Sequence, residues 1–193
     1  MMATAAPAFS AWLDSFFGAY YRRRPVNATF IGVHTYDDDL PDLSDRGIAD
    51  TLSEAEALLE GLRGLPDEPL DHWQRLDRQL AEGFLRIQQW ESTSLHFGSA
   101  NPVQFTGEAI FGLVSLLLRP TPERLQSASA RLEKVRAFLQ TGTDQVRSAP
   151  AAWIQRARHE CEGARVLMDD VAITFPSLRD ATRRAAAAFA EFE

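Results

Sequence analysis

The sequence predicts an all-α fold: an irregular bundle of about seven helices with one long ordered loop near residues 25–44. Three observations carry this. Apolar residues recur at the three-and-four spacing of a helix face almost throughout. Proline, glycine and N-capping residues fall between these stretches. No run shows the two-residue alternation of a strand, apart from a short candidate at Thr29 to Val33.

The first helix carries Phe9, Trp12, Leu13, Phe16, Phe17, Tyr20 and Tyr21 on one face, and Pro25 stops it. The second takes Ser44 or Asp45 as N-cap, buries Ile48, Leu52, Ala55, Leu59 and Leu62, and ends at Gly64-Leu65-Pro66. The third holds its period through Leu70, Trp73, Leu76, Leu80, Phe84, Ile87 and Trp90, up to a break at Gly98-Ser99-Ala100-Asn101-Pro102. The fourth, Val103 to Leu118, is apolar around much of its circumference, as expected of a helix buried in mid-bundle.

Thr121-Pro122-Glu123 opens the fifth helix with an N-cap, a proline at the first helical position and an acid in the first turn. Its buried stripe is Leu125, Leu132, Val135, Phe138 and Leu139. The sixth begins at Ala149-Pro150 and runs through Trp153, Ile154, Ala157, Cys161, Ala164, Leu167, Met168 and Val171 to Phe175-Pro176. The last, from Ser177, presents Leu178, Ala181, Ala185, Phe189 and Phe192. No internal repeat of fixed period is visible, which disfavours a solenoid.

At 193 residues the chain is expected to form a single helical domain. A net charge of −7 argues against nucleic-acid binding, which needs a concentrated basic footprint. The longest apolar run, Ile110 to Leu118, is too short to cross a bilayer, so no membrane partner is expected. The N-terminus has no basic region ahead of its apolar residues, and Asp14 interrupts them. A cytoplasmic protein is the expectation.

Complete catalytic constellations are not found. His159-Glu160 opens like a zinc-protease helix, but the second histidine is missing: Gly163 stands one turn on. Asp37, Asp38, Asp39 and Asp42 lack the glycine and closing glutamate of a calcium loop, and turn formation and capping account for them better. His34, His72 and His96 show no ligand spacing. Cys161 excludes any intrachain disulfide and reads as a small buried apolar residue. There is no Gly-x-Ser-x-Gly elbow and no phosphate-binding glycine loop.

The segment from Pro25 to Ser44 is longer than connections usually are. Its pattern of Pro25, Ala28-Thr29, Gly32-x-His34, Tyr36-Asp37 and Asp42-x-Ser44, after an aromatic opening helix, resembles the N-terminal signature of the bacterial family called domain of unknown function 885. Leu76-Asp77, Asn101-Pro102, Arg131-Leu132 and Pro150 to Trp153 agree in order. Members of that family are similar to zincin-type metallopeptidases. The resemblance therefore implies a zinc-dependent hydrolase of peptide-like bonds, in which these helices form one wall of the substrate groove. The family's His-Glu-x-x-His-like motif lies far downstream of the loop, and none of its residues can be placed on this chain.

No cofactor is thus expected in this chain, zinc being implied only for full-length relatives, and the chain is expected to be inactive alone. No catalytic residue is assigned. His34, Tyr36 and Asp37 match the signature, and hydrogen bonding that fixes the loop is their simplest use. Such a wall is expected to expose apolar surface, with the fourth helix and the Ala185 to Phe192 face as candidates. A second chain supplying the remaining fold, or self-association, would cover it. Two other readings are a helical binding module without catalysis, and a small enzyme using the His34-Tyr36-Asp37 loop.

Overall fold

A computed structural model describes residues 6–66, 70–94 and 101–193. Eight α-helices and two short 3-10 turns form among the described residues, with no strand. They are α1 (Ala6–Arg23), α2 (Pro25–Ile31), α3 (Asp45–Gly64), α4 (His72–Thr93), α5 (Pro102–Leu117), α6 (Pro122–Gln145), α7 (Ala151–Thr174) and α8 (Arg179–Phe192). The 3-10 turns are His34–Tyr36 and Pro176–Leu178.

The expected starts are seen in the capping geometry. Ser44 Oγ accepts from the Gly47 amide, Thr121 Oγ1 from the Arg124 amide, and Asp71 and Gln74 form a reciprocal capping box. Hydrogen bonds at the N-terminus of α6, from backbone and from Thr121, hold the Glu123 carboxyl below its ordinary pKa. The far end of α3 is closed from outside, by Arg78 donating to the carbonyls of Leu62 and Leu65 at 2.8 Å each.

The segment 25–44 is ordered, but half of it is helical. Pro25 ends one helix and begins the next: at the first helical position its missing N–H costs nothing. The stretch from Thr29 that suggested a strand therefore lies in α2, which Gly32 closes at φ 96°, a left-handed cap suited to glycine.

Two apolar clusters form. Phe105, Leu113, Leu116, Leu132, Leu139, Met168 and Phe189 centre the larger, built by α5 to α8. Phe9, Trp12, Phe16, Leu59, Leu62 and Leu85 centre the smaller, built by α1, α3 and α4. Trp12 Nε1 donates to the Leu58 carbonyl at 3.0 Å, fastening α1 to α3.

Burial sorts the apolar faces. Phe105, Ala109, Leu113 and Leu116 of α5 and Ala185 and Phe189 of α8 are buried, because both helices pack on α6, while Phe111 and Leu118 at α5 stay exposed. Trp73, Leu76, Leu80, Ile87 and Trp90, which hold the helical period of α4, are exposed. It is Ala81, Leu85 and Gln88 that α4 buries against α1 and α3.

The larger cluster is joined to the 25–44 segment by one side chain. Arg131 of α6 is 1% exposed. Its Nε donates to the Asp39 carbonyl at 2.9 Å, and Nη1 to the Gly112 carbonyl at 2.7 Å and Ser115 Oγ at 3.4 Å. Nη2 meets Thr29 Oγ1 at 2.6 Å and the carbonyls of Pro25 and Tyr36 at 3.2 Å each. Burial lowers its pKa to about 10, against the opposing fields of Asp37, Asp39, Glu108 and Asp38, so the guanidinium is charged at neutral pH.

Two stability predictions follow from this packing. Arg131→Met removes a buried, hydrogen-bonded charge that joins α2, the 3-10 turn and α5 to α6, and is expected to cost about 3–5 kcal/mol in urea unfolding. Arg131→Lys should recover little of that, since an ammonium cannot match a planar fork. A loss below about 1 kcal/mol for Arg131→Met would show that the 25–44 segment is held without the guanidinium. Gly142→Ala should also lower the unfolding midpoint, although alanine is the better helix former by about 1 kcal/mol. A Cβ there would sit 2.8 Å from Phe105 and 2.9 Å from Phe192. An unchanged midpoint would mean that both rings yield freely.

Candidate functional site

The three signature residues are brought together, and their geometry is that of a brace. The Arg124 guanidinium donates to His34 Nε2 at 3.2 Å. That contact fixes the tautomer, so Nδ1 carries the proton and donates to Asp37 Oδ2 at 3.0 Å. Asp37 Oδ1 accepts from the Thr29 hydroxyl at 2.6 Å, and Thr29 in turn accepts from Arg131. Tyr36 contributes its carbonyl to Arg131. In a catalytic His-Asp pair the outer imidazole nitrogen faces a nucleophile. Here it faces an arginine.

Other sequence candidates are scattered. His159 is exposed on α7, while neighbouring Glu160 accepts from Thr106 of α5 and pairs with Arg156. His72 is exposed at the start of α4, and His96 lies outside the described residues. Cys161 is fully buried, and burial pushes its thiol up to about 11, so it is no thiolate at neutral pH. Among the described residues no group of three or more His, Cys, Asp or Glu side chains could hold a metal ion. The zinc that the resemblance implies for full-length relatives is therefore given no ligand set by the described residues.

A polar cleft of about 340 Å³ lies where α1, α2, α3, α4 and α5 converge. Its walls include Arg24, Asn27, Glu91, Ser92, Gln104 and Glu108. Arg24 follows α1 and is the hinge into α2. Its guanidinium lies over the rings of Tyr20 and Phe84, 5.1 Å and 5.5 Å from their centroids, and pairs with Glu91 of α4 at 3.1 Å. The arginine is thus aimed across the cleft by two aromatic faces and one carboxylate.

Glu108 differs from its neighbours. It is the only charged residue of α5 and sits four residues after Gln104, so both side chains point from one face of the helix into the cleft. Burial raises its pKa above the ordinary carboxylate value, and the fields of Arg24 and Arg131 only partly oppose this. Among the described residues no hydrogen bond or ion pair engages it. A carboxylate that is desolvated, unpaired and open to a cleft is equipped to meet a positively charged group. Sequence reading passed over it, yet a lone acid inside an otherwise apolar helix was a visible signal.

Among curated proteins, none matches the chain. The fold matches a solved structure from Shewanella oneidensis, described as "a putative lipoprotein of unknown function", at a TM-score of 0.78 and 20% identity. The match covers 98% of this chain and 36% of that one, so the chain spans little more than a third of the length of that protein. The family model for the bacterial protein of unknown function DUF885 matches residues 25–193, which include the whole braced segment, the cleft carboxylate Glu108 and Arg131; the chain belongs to that family.

Proposed function

We propose that this chain is a ligand-binding helical wall of a zincin-like hydrolase acting on peptide-like bonds, supplying recognition rather than bond-breaking groups. Glu108 is the observation that carries the reading. In the cleft it takes the ammonium group of a peptide amino terminus, with Gln104 and Ser92 offering acceptors from the same walls. Arg24, held by Glu91 and the two rings, keeps the opposite side of the cleft positive and orients the peptide backbone. The bond-breaking groups come from elsewhere in the family's longer architecture. A binding module without catalysis uses the same cleft in the same way. A self-contained enzyme built on His34, Tyr36 and Asp37 gains no support, because Arg124 and Thr29 already engage the imidazole and the carboxylate.

Titration calorimetry with alanyl-alanine and its N-acetylated form tests the assignment. Binding of the free amine, lost on acetylation and lost in Glu108→Gln, is the expected result. Binding should also fall as pH drops through the raised Glu108 pKa, where the carboxylate takes up a proton. The same substitution makes a stability prediction of opposite sense. A carboxyl whose folded pKa is raised favours folding while protonated, and that contribution is lost as pH rises through the folded value. Glu108→Gln should therefore raise the unfolding midpoint at neutral pH and leave it unchanged well below the ordinary carboxylate range. Equal binding of the two dipeptides, or a less stable Glu108→Gln protein at neutral pH, would overturn the reading.

A further inference from the structure

The exposed residues of α4 fall on a strict heptad. Trp73, Leu80 and Ile87 repeat every seven residues, and Leu76, Gly83 and Trp90 repeat at the intervening positions. On a helix this makes one straight seam, about 25 Å long over seventeen residues at 1.5 Å each. Trp73 is 70% exposed and Leu80 63%. The seam lies nearly opposite the face that α4 buries through Ala81, Leu85 and Gln88, so the helix has two apolar sides. Beside the seam, Leu13, Phe17 and Tyr20 of α1 extend the apolar surface across a groove of about 490 Å³.

A contiguous apolar surface of this kind marks an interaction site. Strict seven-residue spacing points to a helix as the occupant, because knobs-into-holes packing produces that spacing. The flanks of the seam specify which helix. One flank carries Asp77, Phe84 and Glu91, and the other His72, Gln79 and Arg86. When two copies of α4 lie parallel and in register, each flank faces the opposite flank of the other copy five residues on. That sets His72 against Asp77, and Arg86 (paired with Glu82 within the chain) against Glu91 (paired with Arg24), so each facing pair is opposite in sign once His72 is protonated. The antiparallel arrangement sets Asp77 against Glu91, acid against acid.

We infer that this face binds a second copy of the chain, through a parallel α4–α4 seam with Leu80 and Ile87 at its centre. The small Gly83 leaves room beside the bulky Trp90 and Trp73 layers. Glu91 is common to the cleft and the seam, but Leu80 and Ile87 lie outside the cleft, so their variants test the seam without touching it.

Sedimentation velocity of the 193-residue chain over a concentration series is the first test, and a reversible dimer is expected. Leu80→Glu with Ile87→Glu should weaken dimerisation by about 100-fold or more. Both positions are exposed, so the helical circular dichroism should be retained, and the unfolding midpoint too at concentrations where the native chain is monomeric. Orientation is read with Leu76→Cys under mild oxidation: a parallel seam places the two introduced thiols in one layer and links them. Native Cys161, buried and with a raised pKa, does not compete. A chain that stays monomeric at all concentrations would overturn the inference, and would leave the face to another protein's helix. A dimer indifferent to the two glutamates, or one in which residue 76 does not cross-link, would overturn it equally.

Discussion

One buried guanidinium governs how this chain closes on itself. A charge taken out of water is tolerated only where every donor finds an acceptor. Arg131 meets that condition by drawing acceptors from α2, from the 3-10 turn, from the Asp39 carbonyl and from α5. The acceptors belong to segments more than ninety residues apart on one side and about twenty on the other. The carbonyls of Pro25, Tyr36 and Gly112 also accept from the Thr29 hydroxyl, the Asp39 amide and the Ser115 hydroxyl, so the Asp39 carbonyl depends on the guanidinium most. The charge is also balanced at longer range by Asp37, Asp38, Asp39 and Glu108, and Lys134 pins Asp39 from the solvent side at 2.6 Å. The segment after α2 packs on the larger cluster through Leu40 and Leu43, and this polar knot fixes the backbone between them and α2.

The cleft depends on that knot. Asn27, Pro41, Asp42 and Leu43 form one wall, and all of them lie on the segment that Arg131 fixes. The other walls belong to α1, α4 and α5, where the Arg24–Glu91 pair joins the smaller apolar cluster to the hinge. Glu108 thus faces a space whose boundaries are set by two arginines, one fully enclosed and one partly exposed. Leaving a carboxyl without a hydrogen bond there costs stability, which its attraction to Arg24 and Arg131 only partly offsets.

Much of this was legible in the sequence. Periodicity located every long helix, because burial of one face imposes three-and-four spacing. Capping residues placed the start of α6 to the residue and that of α3 to within one, Ser44 rather than Asp45 being its N-cap. Proline misled once. Pro25 was taken only as a terminator, whereas the same ring is tolerated at a first helical position, and a seven-residue helix shows too little periodicity to announce itself. The α4 stripe located its helix but not its buried face. Spacing reveals that a helix has an apolar face but not what covers it, and here Trp73, Leu80 and Ile87 are spaced as a core face while the inward face is made by the less conspicuous Ala81, Leu85 and Gln88.

The candidate site was least legible for a reason that lies in the chemistry of the backbone. Side chains are what a sequence displays, and His34, Tyr36 and Asp37 drew attention because their side chains can perform catalysis. The fold uses them otherwise. Tyr36 and Asp39 serve Arg131 through carbonyl oxygens that every residue has, and His34 is held in one tautomer between an arginine and Asp37. A motif can therefore identify a family while marking how a segment is braced. The converse also holds. Glu108 belongs to no motif, yet burial raises its pKa and, among the described residues, no hydrogen bond or ion pair engages it. For this chain, the search for function leads away from the signature and toward the residue whose surroundings leave it unsatisfied.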